Sequence, residues 1–391
     1  MNFSRYYRNE GEFIYGFDPG IIEYVYDRII TKGKFSMKKI AIITITNSGL
    51  NFGNRLQNYA LQERLKQLDV EVETIFAAKG VKGSLLLSKL RRFMKQILKA
   101  SGRRRCFNQF NKQYINMCDT IRYEKINDSV FADKYDAFVA GSDQVWNPNF
   151  HFNSDFEFAA FAPKEKRFSY AASIGVASIP EAKKEKFIQL LKEMNMISVR
   201  EEDGVRLVEE LSGRKAFLHI DPTMLLKSED YAKLEKKPEG IEVPEHYVLK
   251  YYLGNVLPEY EKDIEEVGKT LGLPVEYLSE SEGTKYYNIG PSEFLYMFRH
   301  ADYICTDSFH GSVFSILFHK RFTVYVRKDN DVPMNSRIDT LLRTTGLQDR
   351  LYGSQPLEKM LEDITYEPID SLLDEKRKEA DKYFEEMSAR W

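Results

Sequence analysis

Short apolar runs rich in β-branched residues recur along this chain, each followed by a polar or glycine-bearing turn and a helical pattern. Lys39–Thr46 (KIAIITIT), Glu71–Ala77, Asp136–Gly141 (DAFVAG), Phe168–Ser173 (FSYAAS), Met196–Val199 and Ala216–Ile220 read as strands of the first half. Tyr247–Leu253, Val275–Leu278, Tyr303–Cys305 and Arg321–Val326 restart the rhythm in the second. Continuous apolar runs alternating with helices are the pattern of a parallel, doubly wound α/β sheet, because such strands are buried on both faces. With 391 residues, the chain has room for two such units. The expected division is an extension over residues 1–36 with one helix, Ile21–Ile30, then a first domain over 37–226 and a second over 246–370. Residues 227–245, rich in Lys and Glu and carrying Pro238 and Pro244, read as a linker. Residues 371–391 read as a charged helix crossing back over the first domain.

Bulk properties exclude several function classes. The net charge of −2, from 57 basic and 59 acidic residues, gives no global attraction to nucleic acid or anionic membrane. Cys106, Cys118 and Cys305 are odd in number and lack CxxC spacing, which argues against a disulfide scaffold and a zinc site. The absence of an 18-residue apolar run and of a signal-peptide core makes a cytoplasmic protein the expectation. One local patch stands out: residues 82–105 hold nine Lys and Arg and no acid, with Leu86, Leu90, Phe93 and Ile97 on an apolar face. It reads as a solvated basic helix or as a peripheral contact with the inner face of a membrane. No aromatic reading surface accompanies the charge, so no nucleic-acid partner is expected.

The stretch Ala301–Lys320 (ADYICTDSFHGSVFSILFHK) passes from strand through a polar turn into an apolar helix that His310 and Gly311 open. Free N–H groups and the dipole at a helix start favour an anion, and His310 can both give and take a proton near neutrality. A second strand–loop–helix runs through Asn47–Gly53, with Asn54 as the expected helix cap; neither GxGxxG nor GxxxxGK[ST] is present. Asp143, Gln144, Trp146 and Asn147 follow the Asp136–Gly141 strand, on the side where open α/β sheets bind ligands. Trp146 there offers a flat face to a sugar ring and Asp143 and Gln144 partners for hydroxyls; Trp146 as a core residue beside an Asn147-Pro148 turn is the alternative. Arg200 at the tip of Met196–Val199 is a candidate anion clamp, or is paired off by Glu201, Glu202 and Asp203 in the next helix's first turn. Arg337 precedes the expected helix Ile338–Thr344.

Asn51–Gln62 (NFGNRLQNYALQ), Ala140–Asn147 (AGSDQVWN) and Thr306–Gly311 (TDSFHG) resemble the signature blocks of the polysaccharide pyruvyl transferase family. Ile197–Asp203 and Asn335–Arg337 are similar to its lesser blocks, so the resemblance runs from Lys38 to Arg350. It implies an α/β fold of two Rossmann-like domains facing a cleft, GT-B-like. It also implies transfer of pyruvyl from phosphoenolpyruvate to a saccharide of a cell-surface or exopolysaccharide, free or lipid-linked, with a pyruvate ketal formed and phosphate released. No metal and no cofactor are implied beyond phosphoenolpyruvate as donor. The family's histidine, in an Arg-x-His or related block, falls on His310; two positions earlier, where the Arg-containing version of the block has arginine, stands Ser308. The phosphate contacts are therefore expected from Arg200, Arg337 or Arg55. The expected site has His310 and Asp143 as catalytic groups, with Arg200, Arg337, Ser308, Asn54, Arg55, Gln144 and Trp146 binding substrate. The helix dipole is expected to lower the His310 pKa, and Asp307 or bound phosphate to raise it. A GT-B glycosyltransferase using a nucleotide sugar and a non-catalytic carbohydrate-binding relative are the alternatives.

Overall fold

In the computed structural model, the described residues are 37–46, 50–78, 102–119, 121–122, 126, 129–150, 154–327 and 336–391. The expected helix Ile21–Ile30, residues 47–49 of the glycine loop, residues 82–101 of the basic segment and Asn335 lie outside them.

The strands of the first half are β1 (Lys39–Ile43), β2 (Glu71–Thr74), β3 (Ala77–Ala78), β4 (Ile121–Arg122), β5 (Ala137–Ala140), β6 (Arg167–Ser169), β7 (Ser198–Val199) and β8 (Phe217–Leu218). Four of them form a parallel sheet in the order β2-β1-β5-β6, with Ile40 opposite both Val72 and Ala137. Parallel bridges from Phe168 to Met196 and from Ala172 to Val199 carry the ladder on to β7, which pairs with β8. The second half holds β9 (Val248–Tyr251), β10 (Val275–Leu278), β11 (Tyr303–Thr306) and β12 (Arg321–Val324), again parallel, in the order β10-β9-β11-β12. The main helices are α1 (Phe52–Lys66), α2 (Gly102–Tyr114), α3 (Glu181–Lys192), α4 (Glu202–Ser212), α5 (Pro258–Leu271), α6 (Pro291–His300), α7 (Phe309–Leu317), α8 (Ser336–Thr345) and α9 (Glu367–Ser388).

Successive side chains of a strand point to opposite faces, and β1 is buried on both. Ile40 and Ile42 join Leu56, Leu61 and Leu65 of α1 in one core, while Ala41 and Ile43 join Phe131, Tyr135 and Phe138 in another. Several strands are shorter than the apolar runs suggest. β1 stops at Ile43 because Thr44 turns its hydroxyl to the Ser142 carbonyl at 3.2 Å and accepts Gln57 Nε2 at 2.8 Å. Residues 227–245 are more than a connector: Ser228–Ala232 is helical, and Tyr231 is fully buried with its hydroxyl donating to the Thr223 carbonyl at 2.8 Å. Helix α9 returns to the first sheet, where Tyr383 Oη donates to the Ser169 carbonyl at 2.8 Å and Phe384 stacks on Tyr170 at 4.6 Å.

Each sheet has one place where neighbouring strands feed connections to opposite sides, between β1 and β5 in the first and between β9 and β11 in the second. Loops at such switch points, at the carboxyl ends of the strands, form the ligand crevice of doubly wound sheets. Here the two crevices face each other, because Gly53 after β1 packs directly on His310 after β11. The fold is α/β with two Rossmann-like sheets across a cleft, a GT-B-like arrangement. No helix among the described residues is long and apolar enough to cross a membrane.

Candidate active site

The turn that presents His310 is built from its own side chains. Thr306 donates its hydroxyl to the Tyr251 carbonyl at 2.7 Å and accepts the Ser308 N–H at 3.1 Å. Ser308 is the N-cap of α7, its Oγ accepting the Gly311 N–H at 3.2 Å, so its hydroxyl fixes the helix start. A β-carbon on Gly311 would lie 2.3 Å from Thr306 Oγ1, which leaves glycine as the fit. Asp307 does not face His310. Its carboxylate accepts the N–H groups of Leu253 and Gly254, each at 2.8 Å, and pairs with Arg327 Nε at 2.9 Å.

The carboxylate beside His310 is Asp221. Its Oδ2 lies 3.8 Å from His310 Nε2, accepts Ser142 Oγ at 2.7 Å and pairs with Arg200 Nη1. Its Oδ1 accepts the Thr223 N–H at 2.9 Å and hydroxyl at 2.6 Å. Burial works to raise the Asp221 pKa, but Arg200, His310 and the two hydroxyls outweigh it and lower it to about 2. In the sequence Asp221 read only as the stop before Pro222. The signal that picked out Arg200, a charged side chain just beyond a strand, applies equally to it.

His310 is only 7% exposed, and its Nε2 has no hydrogen-bond partner among the described residues. A β-carbon on Gly53 would sit 2.2 Å from its Cγ and Nδ1, so the backbone at the start of α1 forms the opposite wall of the imidazole. Burial is the main influence and lowers its pKa; Asp221 and Asp143 oppose it, while Arg200 and Arg337 add to it. Burial thus favours the neutral imidazole.

Two buried arginines, Arg200 and Arg337, act on this histidine, and a third, Arg55, lies near Asp143. Arg200 is 4% exposed, its guanidinium 4.3 Å from the centre of the Phe309 ring. Its Nη1 bonds Ser142 Oγ at 3.1 Å and Asp221, while Nε and Nη2 have no partner. Arg337, in the first turn of α8, lies 5.9 Å from the same ring, with its Nε unpartnered. Among the described residues it forms no ion pair. Burial and then Arg200 lower its pKa to about 10, against Asp143 and Glu201. Burial likewise lowers Arg55 to about 10 despite Asp143; its Nη1 donates to Asn54 Oδ1 and its Nε is unpartnered. Buried cations with open N–H donors and few counter-charges are costly until an anion arrives.

On the first-sheet side Asp143 follows β5 in the left-handed region (φ +64°), a strained conformation for a non-glycine residue. Its Oδ1 accepts the Gln144 N–H at 2.9 Å and its Oδ2 the Asn54 amide at 3.2 Å. Asn54 is not the cap of α1. Asn51 is, accepting the Asn54 N–H at 2.9 Å, which frees the Asn54 side chain for Asp143 and Arg55. Gln144 is tied within its loop, its Oε1 accepting Asn147 Nδ2 at 2.5 Å. Trp146 belongs to the core: it is fully buried, stacks on Phe158 at 4.7 Å and donates Nε1–H to the Glu157 carbonyl at 3.0 Å, so no face remains for a sugar. Glu201 precedes α4 with its carboxylate turned inward onto the N–H groups of Ile174 at 2.7 Å and Gly175 at 2.9 Å. Only Glu202 and Asp203 occupy the first turn, and Arg200 pairs with Asp221 instead of with that turn. The converging set is therefore His310, Asp221, Asp143, Asn54, Arg55, Arg200 and Arg337.

Known proteins were compared with the chain at three levels. Curated protein sequences give no match. Among solved structures, it is similar to the UDP-GlcNAc 2-epimerase of Methanocaldococcus jannaschii in complex with UDP-GlcNAc and UDP, at 13% identity and a TM-score of 0.46, over 87% of this chain and 94% of that one. It is also similar to Arabidopsis thaliana UGT89C1 complexed with UDP-L-rhamnose, at 12% identity and a TM-score of 0.45, over 88% and 94% of the two chains. The family profile described as polysaccharide pyruvyl transferase matches residues 51–329, from the Asn51 cap to beyond β12. That span includes Arg55, Asp143, Arg200, Asp221 and His310 and leaves out Arg337. This chain belongs to the polysaccharide pyruvyl transferase family.

Proposed function

We propose that the chain transfers the pyruvyl unit of phosphoenolpyruvate to two hydroxyls of a saccharide, forming a cyclic ketal and releasing phosphate. The observation that carries this reading is the pair of buried guanidiniums of Arg200 and Arg337 beside His310, with Arg55 near Asp143, all carrying donors without a partner among the described residues. Phosphoenolpyruvate carries a phosphate and a carboxylate, and planar guanidinium forks suit both. Its negative charge beside His310 raises the imidazole pKa, so the neutral resting histidine becomes protonated as the donor binds. That proton goes to the methylene carbon, leaving a cationic centre at C2. A sugar hydroxyl adds there and gives its proton to Asp143. The bond from C2 to the phosphate oxygen then breaks, phosphate leaving with the electron pair and taking the proton held by Asp143, and a second hydroxyl adds to C2 and gives its proton to the now neutral His310 to close the ketal. Asp221 holds Arg200 in place throughout.

The donor is a cytoplasmic metabolite, so the reading puts the enzyme in the cytoplasm, with a saccharide of a cell-surface or exopolysaccharide as acceptor. Contact of residues 82–105 with anionic lipid beneath a lipid-linked acceptor belongs to the same reading; vesicle sedimentation that is insensitive to salt and lipid charge would remove it.

The test is phosphate release from phosphoenolpyruvate over a panel of saccharide acceptors. His310→Gln is expected to lower kcat by about 10²–10⁴-fold, the usual worth of a general acid. Arg200→Lys is expected to raise KM for phosphoenolpyruvate, since a bidentate fork is lost. Thermal stabilisation by nucleotide sugars and none by phosphoenolpyruvate would overturn the proposal.

A further inference from the structure

A cavity of about 120 Å³ opens beside the Arg200–Asp221 pair. Its lining changes along its length. Arg200, Asp221, Phe309 and Arg337 line it and are buried, whereas Leu218 is 37% exposed and the Lys376 side chain 31% exposed. Met224 and Leu341 supply apolar wall between. None of the cleft-side residues Gly53, Asn54, Asp143 or His310 lines it. Asp221 links the two regions, as wall of the cavity and as the carboxylate 3.8 Å from His310 Nε2.

Charge along the cavity favours an anion at its buried end. Lys376 stands at the exposed end, with Glu379 at 2.8 Å as its partner from the same helix. At the buried end the acid, Asp221, is already engaged by Arg200, Ser142 and Thr223, while donors of Arg200 and Arg337 are left over. Pockets for drug-sized ligands occupy about 300–1,000 Å³. This smaller space suits a phosphoryl group with a few carbons and is too small for a nucleoside diphosphate.

We propose that this cavity is a port and binding site for a small phosphoryl anion, separate from the cleft face at which an acceptor meets His310. Identifying that anion with the incoming donor or the departing phosphate rests on the function proposed above; anion binding in the cavity does not. Substrates entering by different routes avoid competing for the narrow space between Gly53 and His310.

The test is calorimetric titration of the full chain with inorganic phosphate and, separately, with phosphoenolpyruvate. Leu218→Trp plugs the exposed end from a half-exposed position that tolerates a larger side chain, and Lys376→Glu reverses the charge there without touching the core. Leu218→Trp is expected to weaken both anions about tenfold, the equivalent of 1.4 kcal/mol. Lys376→Glu is expected to weaken them about threefold, more at low salt. In turnover, both variants raise KM for phosphoenolpyruvate and leave KM for the acceptor unchanged. Wild-type affinities in both variants, or no binding of either anion to the wild-type chain, would overturn the port. If inorganic phosphate binds in the cavity and phosphoenolpyruvate does not, the port stands and the donor assignment falls. If phosphoenolpyruvate is turned over normally with the cavity plugged, the reverse holds.

Discussion

Arg337 is a buried cation with no ion pair among the described residues, only the more distant charges of Asp143 and Glu201, and such a group is kept at the expense of stability. Arg337→Met is therefore expected to make the unliganded protein more stable, by about 1–2 kcal/mol in denaturant titration, while abolishing stabilisation by phosphoenolpyruvate. Asp221→Asn should do the opposite, costing about 3–5 kcal/mol because Arg200 loses its buried partner. His219 supplies a pH signature of its own. It is 7% exposed, bonded through Nδ1 to Ser198 Oγ at 2.8 Å, and burial lowers its pKa to about 4 from 6.5. A depressed folded-state pKa means the unfolded chain takes the proton first, so stability is full above pH 6.5 and declines as pH falls from 6.5 towards 4. His219→Asn should flatten that window, which holds about 3 kcal/mol on linkage arithmetic, as read by melting temperature against pH. At this scale the sequence singles out His310, Arg200 and Arg337 by their positions at strand and helix ends, and the structure brings the three near one another. It chose Asp307 over Asp221 because adjacency in sequence was visible and the approach of the segment after β8 to α7 was not. Trp146 misled for a related reason: strand ends point at a crevice, but which side of the loop a side chain takes depends on a distant partner, here Phe158.

Among the elements, the two helix starts that meet at His310 depend on absent side chains. Gly53→Ala puts a methyl group into the imidazole ring and Gly311→Ala puts one against Thr306 Oγ1. Gly53→Ala is expected to lower kcat by at least about a hundredfold, a loss that angstrom-scale displacement of a reacting group produces. Circular dichroism should show the helices retained. Strand and helix identities were legible because the apolar periods are clear; their ends were not, since capping is decided by geometry. Asn51 and Asn54 are equally good caps by residue type, and only the three-residue reach from Asn51 Oδ1 to the Asn54 N–H decides between them.

For the whole molecule, the two parallel sheets follow from the alternation of apolar runs and helices, and the facing switch points follow from strand order. The second of these needed the structure, because strand order depends on which crossover goes to which side. α9 closes the assembly by burying Leu373, Tyr383, Phe384 and Met387 and bonding Tyr383 to the β6 carbonyl of Ser169. Removing residues 367–391 is accordingly expected to abolish cooperative unfolding, and Leu373→Ala to cost about 2–5 kcal/mol. The function proposed above has buried arginines with open N–H donors, and an imidazole that burial favours as neutral, waiting for phosphoenolpyruvate. Its most direct test is calorimetric titration with phosphoenolpyruvate at neutral pH in two buffers of different ionisation enthalpy. Binding is expected to be coupled to proton uptake, with the uptake lost in His310→Gln and the binding lost in Arg337→Met. Binding with no change in protonation, or binding unaltered in Arg337→Met, would contradict it.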